Sequence, residues 1–348
     1  MFFDLDEGAW LMGASTVRLS IGEITQRGRS ALHAVGVPAD HAEMQLALLL
    51  DAELRGVRSH GLLRLPRVIE RVRNGVCDPV TTGLGSWKGG ALYEVDGRHG
   101  LGPVVACHAL NALYERVPTT GVAMAAVRDS EHLGMLAWYA KQVTDRGLIL
   151  IALTVSEALV HPWGGSRAML GTNPISIGIP AHPHAFILDM ATSLVPMGKI
   201  HDHANRGLPI PPGWAVGADG RPTTDAEVAK GGAIAPFGGA KGYGLGLGFE
   251  LLVTALAGSA IGTDVVGTLD STRPCNKGDV LIVMKPGSHT STLIDRYLQA
   301  LRASPATDHE RPVRVPGDRG CETRGLHERD EIEVDGGVWA RIEQMASA

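Results

Sequence analysis

The sequence predicts an α/β protein with an N-terminal helical layer, and three observations predict it. Between residues 91 and 155 short apolar runs alternate with helix-period segments, the rhythm of an α/β core. Before residue 91, three amphipathic stretches follow one another with no strand pattern among them. The Gly-x-Gly-x-x-Gly turn is missing: Gly100-x-Gly102 runs on to Val105 and Gly244-x-Gly246 to Phe249. A Rossmann dinucleotide fold is therefore disfavoured.

The first helix spans residues 20–35. The second spans 38–55, with Ala39, Ala42, Leu46 and Leu49/Leu50 on one apolar stripe, and Gly56 breaks it. A third, 62–73, stops at Asn74-Gly75. Residues 91–95 make a short strand, 96–102 a turn, and 103–116 a helix with proline in its first turn. A buried strand at 121–128, a helix at 132–146 and a strand at 148–155 follow, then two short strands within 176–188. The Pro- and Gly-rich stretch 201–225 reads as a long ordered loop. A Gly-rich loop opens an apolar helix at 242–257, residues 280–284 form a strand and 290–303 a helix. No repeat or low-complexity linker divides the chain. Segments 15–90 (helical), 91–285 (α/β core) and 286–348 (helical, returning to the core) thus form one continuous domain with soft boundaries.

Composition narrows the function. The 348 residues are 44% hydrophobic and 20% charged, with a formal net charge of -5 and no long basic run, which argues against nucleic acid or an anionic membrane as partner. Cys77, Cys107, Cys275 and Cys321 include no CxxC pair, which fits a reducing compartment. The first ten residues carry acids where a signal peptide carries Lys or Arg. No stretch reaches the ~18 apolar residues that span a bilayer. A soluble cytoplasmic protein with a small-molecule substrate is expected.

Several polar motifs sit where strands end or helices begin. In Arg58–Arg67, Ser59 and His60 precede Gly61, and His60 and Arg64 share a face if the segment is helical. A proton-transferring histidine beside a carboxylate-binding arginine suits reduction of a keto acid; the alternative is a helix cap with surface His and Arg. Ser130 and His132 follow the buried strand at 121–128, the usual ligand position in an open α/β sheet, or else they cap and pack. Gly238, Gly239, Gly242 and Gly244 with Lys241 offer an anion cradle, or glycines for close helix packing. The Gly171–Pro174 turn reads as scaffold. Asp189, Thr192 and Ser193, carried to the end of an apolar strand, need partners, and a ligand is one answer. His182-x-His184 and His201-x-His203 would put paired rings on one face of a strand, a weak case for metal. No Gly-x-Ser-x-Gly elbow supports a serine hydrolase.

Taken in order, SHGLLRLP (59–66), DSEHLG (129–134), PWGG with GTNPISIGIP (162–180), LDMATS (188–193), MGKI (197–200), IPPGWAV with DGRPTTD (210–225) and GGAKGYGL (238–245) resemble the malate/L-lactate dehydrogenase family. That family is distinct from the Rossmann enzymes. It includes ureidoglycolate, sulfolactate and diketogulonate dehydrogenases and Δ1-piperideine-2-carboxylate reductases. The resemblance covers nearly the whole chain. It implies a non-Rossmann α/β fold, a largely antiparallel or mixed sheet flanked by helices, a homodimer, and NAD or NADP as cofactor. Hydride would pass between the nicotinamide and C2 of a small 2-hydroxy/2-oxo acid, or alternatively of a cyclic 2-imino acid. His60 matches the family's proton-transfer histidine, with Ser59 before it, and His132 matches the base of the ureidoglycolate branch. Arg64 would bind the carboxylate. Asp189 would orient a histidine or contact the cofactor, with Ser130, Ser156, Met190, Ala191, Thr192 and Lys241. Pro316–Asp318 resembles a C-terminal cofactor-contacting segment, which brings in Gly317, Asp318 and Arg319. The chain departs from the family at Gly278-Asp279, where relatives carry Gly-His, and at Glu157 and His161, where they often carry small or apolar residues. The rivals are a metal-dependent hydrolase or lyase using the HxH pairs, and a catalytically dead relative that only binds cofactor.

Overall fold

A short strand, β1 (Thr16–Leu19), leads to Ser20, whose hydroxyl accepts the Glu23 N–H while the Glu23 carboxylate accepts the Ser20 N–H. This capping box starts α1 (Ile21–His33). The computed structural model describes residues 16–288, 290–327 and 331–347. Helix α2 (Ala39–Leu54) follows as the sequence predicts, but the third helix starts later. Residues 58–64 form two 3₁₀ turns, Arg58–His60 and Leu62–Arg64, and α3 (Leu65–Arg73) begins only there. Pro66 has no N–H to give the Leu62 carbonyl, so an α-helical ladder cannot run upstream through it.

Strand β2 (Leu84–Trp87), which the sequence pattern does not mark, pairs with β3 (Leu92–Asp96). Helix α4 (Gly102–Thr120) outlasts its expected end at 116 and stops at Gly121, which takes the left-handed conformation. After β4 (Val122–Arg128) the chain bends at Asp129, whose φ is 55°, and α5 (Leu136–Thr144) starts four residues later than expected. The break is Gly134, whose φ of 73° cannot belong to a right-handed helix. Strands β5 (Ile149–Thr154), β6 (Ile175–Ile179) and β7 (Phe186–Met190) come next.

The stretch expected to be a loop at 201–225 is instead a small subdomain. Its elements are α6 (Met197–Asn205), β8 (Ala215–Val216), β9 (Pro222–Thr223), α7 (Ala226–Lys230) and β10 (Ala233–Ile234), packed on Val160, Leu170, Ile200 and Ile210. The two-residue strands are too short to show a period in sequence. Then follow α8 (Ala240–Ala257), β11 (Gly278–Met284), α9 (Ser291–Arg302), α10 (Asp318–His327), β12 (Ile332–Asp335) and α11 (Gly336–Ala346). Strand β12 pairs antiparallel with β1, and Trp339, Ile342 and Met345 of α11 join the core of α1–α3.

The main sheet has the order β2-β3-β4-β11-β5-β6-β7, parallel only between β3 and β4. It is the mixed, mostly antiparallel sheet that the sequence resemblance implies, and helices cover both faces. Alternate residues separate the faces cleanly. Ala123, Ala125, Val127, Leu150, Ala152, Leu281 and Val283 meet α4 and α5, while Met124, Ile151, Leu153, Val280 and Ile282 face α8. Among the described residues no helix is long and apolar enough to cross a membrane.

Candidate active site

One end of this sheet collects the polar motifs. Strands β4, β5 and β7 finish there and β11 and β6 start there, as the registers Gly278↔Arg128, Asp279↔Thr154 and Ser176↔Asp189 require. Ser130 and His132 leave β4, Ser156 leaves β5, Asn173 precedes β6 and Thr192 leaves β7.

The left-handed Gly134 turns its N–H onto Nδ1 of His132 at 2.9 Å. A ring nitrogen that accepts a backbone N–H carries no proton, so neutral His132 holds its hydrogen on Nε2. Gly102, at the start of α4, lies flat against the same loop: a Cβ there would stand 2.3 Å from the His132 carbonyl oxygen. The Tyr139 hydroxyl donates to the Leu133 carbonyl at 2.6 Å and fixes the loop from below.

The two 3₁₀ turns deliver the facing wall. The His60 and His132 rings are 5.7 Å apart, tilted by 30°. Ser59 Oγ lies 3.0 Å from His60 Nδ1, and Arg64 Nε donates to the Ser59 carbonyl at 2.8 Å. Under the turn, Glu53 accepts the Leu62 N–H at 2.8 Å, and burial raises its carboxyl to about 7. Burial, with the Arg64 charge, lowers His60 to about 3. Burial, Arg64 and the His60 ring hold His132 well below the ordinary histidine range. Arg64 itself falls to about 10 through burial and the neighbouring Arg67. Two neutral imidazoles therefore stand beside a buried guanidinium with no carboxylate partner among the described residues. Such a group calls for an anion, and the imidazoles for a neighbouring oxygen.

Other expected site residues are committed internally. The Ser130 hydroxyl is fully buried and donates to Asp279 at 2.8 Å, and Lys277 Nζ meets both Asp279 oxygens at 2.5 and 2.6 Å. Thr192 is buried and donates to the Thr172 carbonyl at 3.0 Å. Asp318 forms a two-bond ion pair with Arg302 at 2.7 and 2.8 Å, and the adjoining Pro316 carbonyl accepts the Ile187 N–H of β7, beside Gly317. Arg319 lies in the first turn of α10. These contacts make Ser130, Thr192 and Asp318 supports for the walls, not free side chains. Asp189 is not bonded to either histidine: it accepts the Ala137 N–H at 2.7 Å, at the start of α5, and stays exposed. Ser156 Oγ accepts the Thr172 N–H at 3.1 Å. Met190 and Ala191 are half-buried beside it on the strand end.

The loop before α8 runs along this strand end, with Phe237 N–H on the Thr192 carbonyl at 3.1 Å and Leu194 N–H on that of Ala235 at 2.7 Å. Gly238 and Gly239 take φ of 57° and 64°, and the Lys241 side chain is exposed. The GTNP turn is scaffold, as its sequence suggests: buried Asn173 donates to Glu250 of α8 at 2.6 Å. The amides of this loop, the exposed Lys241 ammonium and Asp189, gathered at the end of β7, have the chemistry that a dinucleotide's phosphates and hydroxyls call for.

The HxH pairs do not make a metal centre. His201 and His203 lie on helix α6, where a two-residue step turns the rings roughly 200° apart. His182 and His184 are exposed in the β6–β7 turn. Among the described residues no group of three His, Cys, Asp or Glu side chains is arranged to hold a metal ion.

The sequence reading passed over Lys277 and Arg71, gave Arg67 no role, and named Glu157 only as a departure from the family. Lys277 answers the departure at Asp279; two residues apart on one strand face, the pair was visible in principle. Glu157 accepts the Thr268 and Leu269 N–H groups at 2.8 and 2.9 Å and so pins the 267–273 loop to the cleft. Arg67 and Arg71 follow Arg64 at helical spacing, and Arg71 makes a two-bond ion pair with Glu131.

Residues 19–343 match the family model described as malate/L-lactate dehydrogenase. A solved dehydrogenase from Sinorhizobium meliloti is 48% identical, with a TM-score of 0.92, over 96% of this chain and 99% of that one. The L-sulfolactate dehydrogenase of Methanothermobacter thermautotrophicus is 34% identical over 94% of this chain and 95% of its own length. A Δ1-pyrroline-2-carboxylate reductase from Ancylobacter novellus is 32% identical over 94% and 97%.

Proposed function

The chain belongs to the malate/L-lactate dehydrogenase family, and from that premise we propose how its cleft reduces a 2-oxo acid. It is an oxidoreductase of CH–OH or C=N groups, and the family implies a nicotinamide cofactor. The observation that carries the reading is the convergence of His60, His132 and Arg64 on one cleft.

Arg64 binds the substrate carboxylate through its terminal nitrogens, its Nε already held by the Ser59 carbonyl. His132 presents Nε2–H to the oxygen on C2. It cannot serve there as a base, because a free Nε2 would place a hydrogen on Nδ1, against the Gly134 N–H. His60 has no such lock. Its Nδ1 faces a rotatable hydroxyl, which donates or accepts as the ring loses or gains a proton. We therefore assign the proton to His60 and oxygen orientation to His132. The bound carboxylate cancels the Arg64 charge that holds His60 down, so substrate arrival itself favours protonation of the ring. The nicotinamide, when bound, supplies the hydride to C2 or removes it. Asp189, Lys241 and the amides near Gly238 and Gly239 hold that cofactor, with Ser156 on the adjoining strand end and Gly317 and Arg319 at the far end of β7.

The finer expectations follow as proposals. Exposed Leu245, Leu251 and Leu252 on α8, over the half-buried Met124, Ile151 and Ile282, support a homodimer. Unpaired cysteines without a CxxC motif support the cytoplasm. The deciding measurement is oxidation of NADH and of NADPH with pyruvate, oxaloacetate, 3-sulfopyruvate, Δ1-pyrroline-2-carboxylate and Δ1-piperideine-2-carboxylate. Turnover of at least one 2-oxo acid is expected. Turnover of the imino acids alone would reverse the choice of substrate class.

A further inference from the structure

Between the 3₁₀ turn at Gly262–Asp264 and β11 the chain forms no helix or strand, yet it supplies part of the cleft wall. Gly267 and Thr268 line the cleft together with Arg64, Arg67, His132 and Gly134. Thr268 is buried, whereas Leu269, Thr272 and Arg273 face solvent. A loop with so little apolar surface to bury stays in place only through its polar tethers.

Asn276 closes its neck: Oδ1 accepts the Val266 N–H at 2.8 Å and Nδ2 donates to the Asp264 carbonyl at 2.9 Å. The far limb is held from α3. Arg71 donates to the Asp270 and Arg273 carbonyls at 2.5 and 3.0 Å, and Asn74 to that of Ser271 at 2.7 Å. Among the described residues, the side chain that takes the cleft-lining turn itself is Glu157, just after β5. Its Oε1 alone accepts the Thr268 N–H at 2.8 Å, the Leu269 N–H at 2.9 Å and the Thr268 hydroxyl at 3.2 Å. Two successive amides turned onto one anion make a nest, and such charge-assisted bonds are the strong ones. The Glu157 side chain is 14% exposed, so water competes poorly for it. Arg273 stands 4.0 Å from its other oxygen but only 2.9 Å from Asp270, which leaves the Glu157 charge mainly to the two amides.

If this clasp opens, Thr268 leaves the wall and water enters beside Arg64 and His132. A wetter cleft weakens the attraction between Arg64 and a substrate carboxylate. Resting on the proposed reaction, we infer that Glu157 is a positioning residue for substrate binding. By clasping the Thr268–Leu269 turn it keeps Gly267 and Thr268 in the cleft wall, and it acts through them and not on the substrate.

The test compares the native enzyme with Glu157→Ala and Glu157→Gln, using the 2-oxo or imino acid that the native enzyme turns over best. All three bonds fall on one oxygen, so the glutamine amide oxygen can take them and alanine cannot. Amide hydrogen exchange follows the clasp directly, and KM against kcat follows its effect on the reaction. In Glu157→Ala the Thr268 and Leu269 amides should exchange ~10-fold faster or more, the order expected for one or two lost hydrogen bonds. KM for the acid should rise ~10-fold with kcat within ~3-fold, because the groups that act at C2 are untouched. Glu157→Gln should stay within ~3-fold of the native enzyme in both measurements. Faster exchange with KM unmoved would reduce Glu157 to a structural pin and overturn the inference. Unchanged exchange in Glu157→Ala, or equal losses in both variants, would overturn it too. Native turnover with KM unmoved in Glu157→Ala removes this inference alone, whereas no native turnover of any of the acids removes the proposed reaction with it.

Discussion

His132 and His60 differ by one hydrogen-bond partner each, and in the proposed mechanism that difference divides their work. A fixed amide N–H locks one ring into a single tautomer, and a hydroxyl leaves the other free. His60 was legible as a candidate proton carrier because SHG stands in the sequence before an arginine at the right spacing. The lock on His132 was not, since it depends on the left-handed Gly134 backbone. The partner of Ser130 was hidden for a related reason: Asp279 lies far along the chain, and only β11 between β4 and β5 brings them together. The low proton affinity of His60 has a measurable consequence. In the proposed mechanism, oxidation of the hydroxy acid needs neutral His60, the form that burial favours in the free enzyme above about pH 3. Log kcat/KM for oxidation should therefore be flat between pH 5 and 8, without the limb near ~6.5 that an ordinary histidine gives. Reduction draws on the protonated ring, whose fraction falls tenfold per pH unit above that value, so log kcat/KM should drop with a slope near -1. A histidine limb in the oxidation profile would remove this assignment.

At the level of elements, the strands and helices with full periods were readable, and the boundaries moved where one residue forbids continuation. Pro66 postpones α3 and Gly134 postpones α5, and both delays put site residues into turns. The 201–225 region escaped because its strands are two residues long and its packing is private to it. Strand β11 matters most for the site, because Lys277 and Asp279 enter with it as a buried ion pair below the His132 loop. Asp279→Asn leaves a buried ammonium without its counter-charge and should cost about 3–5 kcal/mol. The double variant Lys277→Met/Asp279→Leu should recover most of that loss, since neither charge is then stranded. Denaturant unfolding of the three proteins measures both. A loss under ~1 kcal/mol in the single variant would show the pair to be solvated in solution.

At the scale of the molecule, the α/β class and the order of segments were visible, and the sheet order was not. Nothing in a periodicity places a late strand between two early ones. The family resemblance implied a mixed, mostly antiparallel sheet, but not the insertion of β11. Surface chemistry adds a prediction here. Leu251 and Leu252 are exposed on α8, where a monomer would leave them in water. Sedimentation equilibrium should give twice the chain mass, and Leu251→Glu/Leu252→Lys should halve it. A native protein that sediments as one chain would leave α8 unexplained.

The pairing of β1 with β12 ties the first described strand to the last, some three hundred residues further along the chain. Terminal segments are ordinarily where chains fray and where proteolytic machines gain a grip. Here β1 is held by β12, and parting that ribbon uncovers Trp339 and Ile342 beside the α1–α3 core. Leu62 and Leu65, on either side of Arg64, belong to that core, so loss of the ribbon and loss of the cleft are coupled.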